Sequence, residues 1–394
     1  MPTPTHEEAR AAADALARRI GWGKTVLFSL LPLALLLAAL EGAARLAERG
    51  RPPLPADPGL GFNPDSRLFV PSPEEPGVLI TNPDKAASFK EQRFLMPKPD
   101  RHFRIFMLGG SSVNYIDLEL TLLAWELTLR YPGACRVEII NCGGLAYGSH
   151  RLVAIAAEVM HYEPDLILIY SGHNEFEELE QFQAARIAYL PLQRVLGRFA
   201  LYRFERDRAA LWRIAAAQRD RNRRILENPE ADYMSGARHV YTPEEVADRM
   251  RQYERNLSII LSLCRDHGVP VIIGTMASNL WKPGLATEAM REEVQALYAQ
   301  GRHAEGMALA RQLLRDHGRH QASDTENGII RALAERYRIP IADVESAVIT
   351  AEPHGIPGET LFSDHCHLNQ AGNQILIRAY AGQIISLLDA PCRP

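Results

Sequence analysis

Short apolar runs alternate with amphipathic segments in the middle of the chain, and this alternation restricts the fold more than any other feature of the sequence. Three runs have the length and β-branched content of buried strands: RIFML (104–108), RVEIIN (136–141) and DLILIY (165–170). The segments between them, 118–130 and 149–162, carry apolar residues at helical spacing. Strand–helix–strand units of this length join parallel strands, so the sequence predicts a parallel sheet covered by helices on both faces.

The same pattern resumes after a break and completes the predicted domain. Thr242 opens a capping box, T-P-E-E, for a helix reaching about residue 267. The remaining expected elements are a strand at 269–274, a helix at 324–337, a strand at 339–342 and a helix at 369–388. We therefore expect an α/β fold: a three-layer α/β/α sandwich with a parallel sheet of about five strands. Its domain spans 101–394, with helical insertions at about 176–240 and 276–323.

The two expected insertions differ in character. Between Arg186 and Arg224 there are 11 arginines against three acidic residues. Such a segment is usually a solvated face, but on a membrane-tethered protein it can bind anionic lipid. At 286–320 the sequence ALYAQGRHAEGMALARQLL predicts a helical hairpin similar to one tetratricopeptide unit. A single unit cannot bury its own faces, so it must pack on the main domain or on a protein partner.

The N-terminal region predicts a membrane-directed segment. Residues 25–40 form a run of 16 uncharged, mostly apolar residues, which extends to a bilayer span when 20–24 are added. We expect a cytoplasmic segment at 1–19, a transmembrane anchor or signal segment at 20–46 and a proline-rich linker at 47–100. The protein is then single-pass with its main domain outside the cytoplasm, or secreted after signal cleavage.

Composition excludes some classes of function. The net charge of −4 gives no reason to expect nucleic-acid binding. The five cysteines include no CxxC pair, so a zinc ribbon or a thioredoxin-like centre is not expected. One disulfide is possible and none is required. No metal or organic cofactor is predicted.

Polar segments follow each of the first three predicted strands. They are Gly-Gly-Ser-Ser ending in Ser111 and Ser112, Asn-Cys-Gly-Gly containing Gly143, and Ser-Gly-His-Asn-Glu containing His173, Asn174 and Glu175. Ligands bind beyond the carboxyl ends of strands in open parallel sheets, so the three segments should converge. A serine hydroxyl, glycine N–H groups and an asparagine amide are suited to nucleophilic attack and oxyanion binding.

A fourth polar segment, Ser-Asp-His-Cys-His, precedes the last predicted helix. Serine catalysis needs a base and a carboxylate that orients the base, and Asp364 and His367 can reach each other locally. The alternative interpretation is a metal cluster of Asp364, His365 and His367, although no further ligand motif accompanies it. Weaker roles in the substrate pocket are expected for Ser112, His173, Glu175 and His365. Ser112 is also the alternative nucleophile, and Glu175 is also expected to hold the Asn174 loop.

The four segments, in this order, resemble the four blocks of the SGNH (GDSL-like) hydrolases, in the branch whose first block is GGS. The resemblance covers about 104–175 and 241–388. It implies that Ser111 is the nucleophile, His367 the general base and acid, and Asp364 the residue that orients His367. It also implies an oxyanion hole formed by the N–H groups of Ser111 and Gly143 and the Asn174 amide. Gly110 stands where the GDS form has aspartate.

The resulting functional hypothesis is a membrane-anchored, extracytoplasmic serine esterase. Its substrate is an ester-bearing small molecule, lipid or glycan. One alternative is an O-acyltransferase that transfers acetyl groups to cell-envelope polysaccharide with the same residues. A second alternative is a non-catalytic envelope scaffold that recruits a protein through the tetratricopeptide-like hairpin.

Overall fold

The computed structural model describes residues 22–50, 67–182, 195–209, 212, 240–285, 287–317, 321–388 and 392. The chain forms two compact units: Met1–Pro55 with Leu190–Arg213, and Ala56–Tyr189 with Ile214–Pro394. The larger unit contains all the strands described below. We call these the N-terminal unit and the sheet unit, and describe each separately.

A five-stranded parallel sheet forms the centre of the larger unit. Its strands are β4 (His102–Gly109), β5 (Arg136–Gly143), β6 (Leu166–Tyr170), β7 (Val271–Gly274) and β8 (Ile341–Ala342), in the spatial order β5-β4-β6-β7-β8. Every residue of β6 is buried, as a central strand covered on both faces requires. The predicted parallel sheet of about five strands is confirmed.

Helices cover both faces of this sheet. One layer contains α4 (Ser149–Val159), α6 (Pro243–Asp266) and α9 (Asp324–Tyr337), and the other contains α3 (Asp117–Arg130), α10 (Val344–Ala351) and α11 (Gln370–Leu388). Two further helices of this unit are the short α2 (Ser111–Asn114) and α5 (Glu175–Phe182), which packs against α6. The capping box predicted at Thr242 is present, with Glu245 as its partner. The predicted three-layer architecture is therefore confirmed.

A small antiparallel sheet precedes the parallel one. It consists of β1 (Phe69–Pro71), β2 (Val78–Thr81) and β3 (Arg93–Leu95), and Phe69 and Phe94 bury their rings beside Phe106 of β4. The expectation of a linker up to residue 100 is wrong for these residues. Of the prolines that suggested extended chain, Pro71 lies at the end of an edge strand and Pro73 and Pro76 lie in the turn that follows it, where they interrupt no ladder. The earlier part of the expected linker, 51–66, lies outside the described residues.

The second expected insertion is a helical hairpin, α7 (Glu288–Ala299) and α8 (His303–Asp316). Its apolar side packs on loop residues of the same unit, including Leu280, Leu285 and Ile356. Trp281 stacks on Tyr298 of α7, with ring centroids 4.6 Å apart. The hairpin therefore buries its faces on the main domain, one of the two arrangements that the sequence allowed. Of the first insertion, 183–194, 210–211 and 213–239 lie outside the described residues.

The N-terminal unit contains α1 (Trp22–Gly50) and a helical segment at 200–209. Residues Phe28–Gly50 are long and apolar enough to cross a membrane, and their most apolar 18-residue window has a mean hydropathy of 1.7. Their charged residues all lie in the last ten positions, beginning at Glu41. Length and composition alone would be satisfied equally by a signal sequence near the N-terminus.

Candidate active site

The register of the sheet brings the first three polar segments to one edge. Gly109 at the end of β4 pairs with Gly143 of β5 on one side and with Tyr170 of β6 on the other. The three strands therefore end at the same level, and the segments that follow them meet beyond their carboxyl ends.

Ser111 is the first residue of α2, directly after the Gly109–Gly110 turn. Its side chain is largely buried, and Gly110 occupies the N-cap position without a side-chain cap. The Ser111 N–H has no acceptor among the described residues, as expected for the first turn of a helix. Both the hydroxyl and a free backbone donor are thus placed at the carboxyl edge of the sheet.

Ser111, His367 and Asp364 form a continuous hydrogen-bonded relay. His367 Nε2 lies 2.7 Å from Ser111 Oγ, and His367 Nδ1 lies 2.6 Å from Asp364 Oδ2. Because an ionised Asp364 accepts a hydrogen bond from the Nδ1–H group of His367, the Nε2 atom of His367 carries no hydrogen and can accept one from the Ser111 hydroxyl. Ser111 and His367 are 256 positions apart in the sequence, and one hydrogen bond joins them. The three residues predicted as a triad are therefore in contact.

Asp364 is fixed by its own loop. Its Oδ1 accepts the N–H groups of Cys366, at 2.8 Å, and His367, at 2.7 Å. Burial acts to raise the pKa of Asp364, but these N–H groups and the His367 ring outweigh burial and lower it. Asn279, in the loop after β7, donates its amide to the Asp364 carbonyl at 2.8 Å, and its N–H donates to the His365 carbonyl. Sequence reasoning missed Asn279, since no motif marks it.

Asn174 lies directly over Gly110. A Cβ on Gly110 would be 2.3 Å from Asn174 Nδ2 and 3.0 Å from the Tyr147 carbonyl oxygen, so only glycine fits there. The Asn174 amide donates one hydrogen to that carbonyl, at 3.1 Å. Its second hydrogen is available for a substrate oxygen beside Ser111.

Gly143 is engaged elsewhere. Its N–H donates to Asn141 Oδ1 at 2.9 Å, which makes it a poor candidate for the predicted oxyanion donor. In the following loop, Ala146 has a left-handed backbone with φ 60°, and its N–H has no acceptor among the described residues. Ala146 precedes Tyr147, whose carbonyl oxygen lies against Gly110.

Three of the four residues with weaker expected pocket roles are Ser112, His173 and His365, and their surroundings differ. Ser112 lines a small cavity together with Tyr115 and His367, beside the relay. His173 accepts the Ala322 N–H on Nδ1, and its buried Nε2 has no partner among the described residues. Burial, reinforced by the nearby histidines 367 and 365, lowers the pKa of His173 to about 3, so its ring is neutral. The His365 ring packs over Gly284.

Glu175 does not line the pocket. It is fully buried and accepts the N–H of Ser149 at 2.7 Å and the Arg249 guanidinium at 2.6 Å. Glu178 accepts the side chains of Arg151 and Arg249 and caps the start of α4. Burial raises the pKa of Glu175, whereas the two arginines overcome burial and lower the pKa of Glu178. This buried cluster of four charges joins α4, α5 and α6 beneath Asn174.

Tyr115 is a further site residue that the sequence did not indicate. Its ring lies 4.9 Å from the ring of His367, centroid to centroid, and 54% of the residue is exposed. It therefore forms part of the rim of the site.

The alternative metal cluster conflicts with the hydrogen bonds of the loop. Asp364, His365 and Cys366 bring candidate ligand atoms within 4.8 Å of one another. However, both carboxylate oxygens of Asp364 already accept hydrogen bonds, from two backbone N–H groups and from His367. A metal ion there would have to displace the contacts that orient His367.

No protein-family model and no curated protein sequence matches this chain. Solved structures with a similar fold include an acetyl xylan esterase (13% identity, 73% of this chain and 100% of that chain, TM-score 0.39). A GDSL-like lipase from Bacteroides thetaiotaomicron has 11% identity over 73% of this chain and 88% of its own, with a TM-score of 0.35. An acetylxylan esterase from Geobacillus stearothermophilus has 14% identity over 72% and 94%, with a TM-score of 0.38. At such values the chemistry must be argued from this chain's own residues.

Proposed function

We propose that the chain is a serine ester hydrolase of the SGNH type, anchored in a membrane with its catalytic unit outside the cytoplasm. The observation that supports the catalytic proposal is the relay from Asp364 through His367 to Ser111, at 2.6 Å and 2.7 Å. A carboxylate, an imidazole and a hydroxyl in this order are the elements of nucleophilic acyl transfer.

The proposed reaction has two steps. In the first, His367 Nε2 takes the Ser111 proton while Oγ attacks the ester carbonyl, and His367 then gives that proton to the departing alcohol. In the second, His367 deprotonates water, which attacks the acyl-serine ester, and the proton returns to Ser111 Oγ as the acid leaves. Asp364 stays ionised and stabilises the imidazolium that forms in each step.

The oxyanion of each tetrahedral intermediate needs donors that are already in place. We assign this role to the Ser111 N–H and the free hydrogen of the Asn174 amide. Ala146 replaces Gly143 as the third donor in this proposal, because the Gly143 N–H is bound to Asn141.

The location of the enzyme is inferred from two features. The apolar part of α1 is long enough to span a bilayer, which supports an anchor. Cys135 and Cys392 form a disulfide across a separation of 257 residues. Disulfides persist mainly in oxidising compartments, so this bond supports a catalytic unit exposed outside the cytoplasm.

An ester panel on the purified full chain tests the proposal. Short-chain acyl, long-chain acyl and acetylated-glycan esters are compared for the wild type, Ser111→Ala and Ser112→Ala. We expect hydrolysis of at least one ester, a loss of about a thousandfold or more in Ser111→Ala, and a far smaller loss in Ser112→Ala. Wild-type rates in Ser111→Ala contradict the proposal.

The same panel separates hydrolysis from acyl transfer. With labelled acetyl donor and a glycan acceptor present, hydrolysis releases labelled acetate, whereas an acyltransferase places the label on the glycan. The esterase proposal expects free acetate to dominate.

A further inference from the structure

In the N-terminal unit, α1 holds a distant segment of the chain by its acidic side chains. The Glu41 carboxylate accepts the N–H groups of Ala200, at 3.0 Å, and Leu201, at 2.9 Å. Glu48 makes a two-point contact with the Arg203 guanidinium, at 2.8 Å and 2.6 Å. Glu41 thus caps the start of the helical segment 200–209, and Glu48 fixes its first turn.

These contacts place the segment at one end of the apolar run. Glu41 is the first charged residue of the candidate span Phe28–Gly50, so the uncharged run before it is the part that matches hydrocarbon. The helix from Trp22 to Leu40 is about 28 Å long at 1.5 Å per residue, close to the thickness of a bilayer core. When α1 crosses a membrane, Glu41 therefore lies at the boundary between hydrocarbon and headgroups. Ala200 and Leu201, bound to Glu41, lie at the same depth.

The held segment exposes aromatic and cationic side chains. Val195, Phe199 and Phe204 are 52%, 50% and 41% exposed, and Trp212 is 68% exposed. The Arg208 guanidinium lies over the Phe204 ring, and Arg198 and Arg208 are both exposed. Exposed aromatic rings beside exposed arginines are typical of helices that lie in a membrane interface.

We propose that the described residues 195–209 and 212 form an interfacial lipid-binding element, lying in the headgroup layer of the bilayer that α1 crosses. Its apolar ligands are acyl chains near the glycerol backbone, and its polar ligands are lipid phosphates bound by Arg198 and Arg208. The proposal rests on the membrane anchor proposed above. The bilayer is the expected ligand because Glu41 holds this exposed apolar surface at the end of the span. When α1 crosses a membrane, the bilayer surface is the one surface that must lie beside that position.

The element gives the membrane a second attachment to the chain. The sheet unit is joined to α1 through 51–66 and to the element through the chain on either side of it. Substrate esters carried by lipid are therefore concentrated where the enzyme is held, which makes a membrane-borne ester the substrate class that this arrangement favours.

Site-directed spin labelling of the full chain in vesicles tests the inference. Single cysteines are introduced as Phe199→Cys, Phe204→Cys, Leu33→Cys in the span and Ile259→Cys on α6 of the sheet unit. The native cysteines are either buried or in the disulfide, so labelling is selective. Collisions of the spin label with dissolved oxygen indicate a lipid environment, and collisions with a water-soluble nickel chelate indicate exposure to water.

The expected result is a graded depth. Leu33 should be in the bilayer core, Phe199 and Phe204 about 5–10 Å inside the headgroup boundary, and Ile259 in water. Vesicles containing phosphatidylglycerol should place the two phenylalanine positions deeper than vesicles of phosphatidylcholine alone. Glu41→Gln/Glu48→Gln should release the segment and raise the nickel accessibility at position 199.

Three outcomes overturn the inference. If position 199 is as accessible to nickel as position 259 while position 33 is in lipid, the anchor holds but the element does not bind lipid. If spin labels at position 199 broaden each other's spectra, and this broadening disappears when the protein is diluted with more lipid, the surface binds a second copy of the chain. If position 33 is also in water, both anchor and element are wrong. Ester hydrolysis by the same samples shows separately whether the catalytic proposal stands.

Discussion

Replacing Asp364 by asparagine tests the relay with almost no change of shape. Asp364 Oδ1 accepts two backbone N–H groups and Oδ2 accepts the His367 Nδ1 hydrogen. An asparagine has one acceptor oxygen. If that oxygen keeps the backbone N–H groups, its amide N–H faces Nδ1, and His367 must carry its proton on Nε2 instead. In that tautomer Nε2 cannot take the proton of Ser111.

The expected cost follows from the loss of the base. A wrong tautomer in a serine triad lowers kcat by about 10³–10⁴, which corresponds to about 4–5.5 kcal/mol in the activation free energy. KM should change little, because Asp364 lies behind His367 and acts on substrate only through that ring.

The assay is the kcat and KM of Asp364→Asn on the best ester of the panel, with Ser111→Ala and the double variant beside it. The double variant should be no slower than Ser111→Ala alone, because the residues act as a unit. Glu359→Gln is the matched control: it alters another carboxylate–histidine pair, with His354 at 2.7 Å, and should keep wild-type kcat. A loss of less than about tenfold in folded Asp364→Asn, against the 10³ or more expected, would refute the reasoning.

Three further predictions follow from other parts of the structure. Asn174→Ala should lower kcat by about 10²–10³ in steady-state assays, as loss of an oxyanion donor does, and a loss of only a few-fold would remove it from that role. Arg249→Ala leaves Glu175 and Glu178 undercompensated and should cost about 3–5 kcal/mol in urea unfolding, whereas the exposed Arg265→Ala should cost less than about 1 kcal/mol. Burial opposes ionisation of Asp343, but hydrogen bonds led by Arg331 lower its pKa to about 2. The hydrogen bonds to ionised Asp343 therefore stabilise the fold fully above about pH 4, and this contribution is lost as the pH falls towards 2. Asp343→Asn should make the unfolding free energy less dependent on pH in this acidic range.

The sequence predicted the parallel sheet and the convergence of the polar segments for the same physical reason. Buried parallel strands are continuous apolar runs, and their carboxyl ends lie on one edge, so Ser111 and Asn174 had to meet there once the strands were assigned. The relay was predictable because Asp364 and His367 are three residues apart and follow the last strand of the sheet.

Other parts left no signal in the sequence. The role of Asn279 depends on a carbonyl of another loop, so no spacing marks it. The Gly143 N–H was assigned from its motif, but the Asn141 side chain accepts it, which only the side-chain conformation decides. Glu175 adjoins Asn174 in sequence, yet the start of a helix turns it towards Arg249 and away from the pocket. The prolines near β1 were mistaken for a linker because composition does not distinguish an edge-strand end from extended chain.

Labelling with a fluorophosphonate tests the central claim most directly. This reagent forms a stable adduct only with an activated serine, so full-chain protein is treated, digested and sequenced by mass spectrometry. The account predicts one adduct on Ser111, abolished in Ser111→Ala and strongly slowed in His367→Ala, with Ser112 unmodified. An adduct on another serine, or none on folded protein that hydrolyses esters, would contradict it.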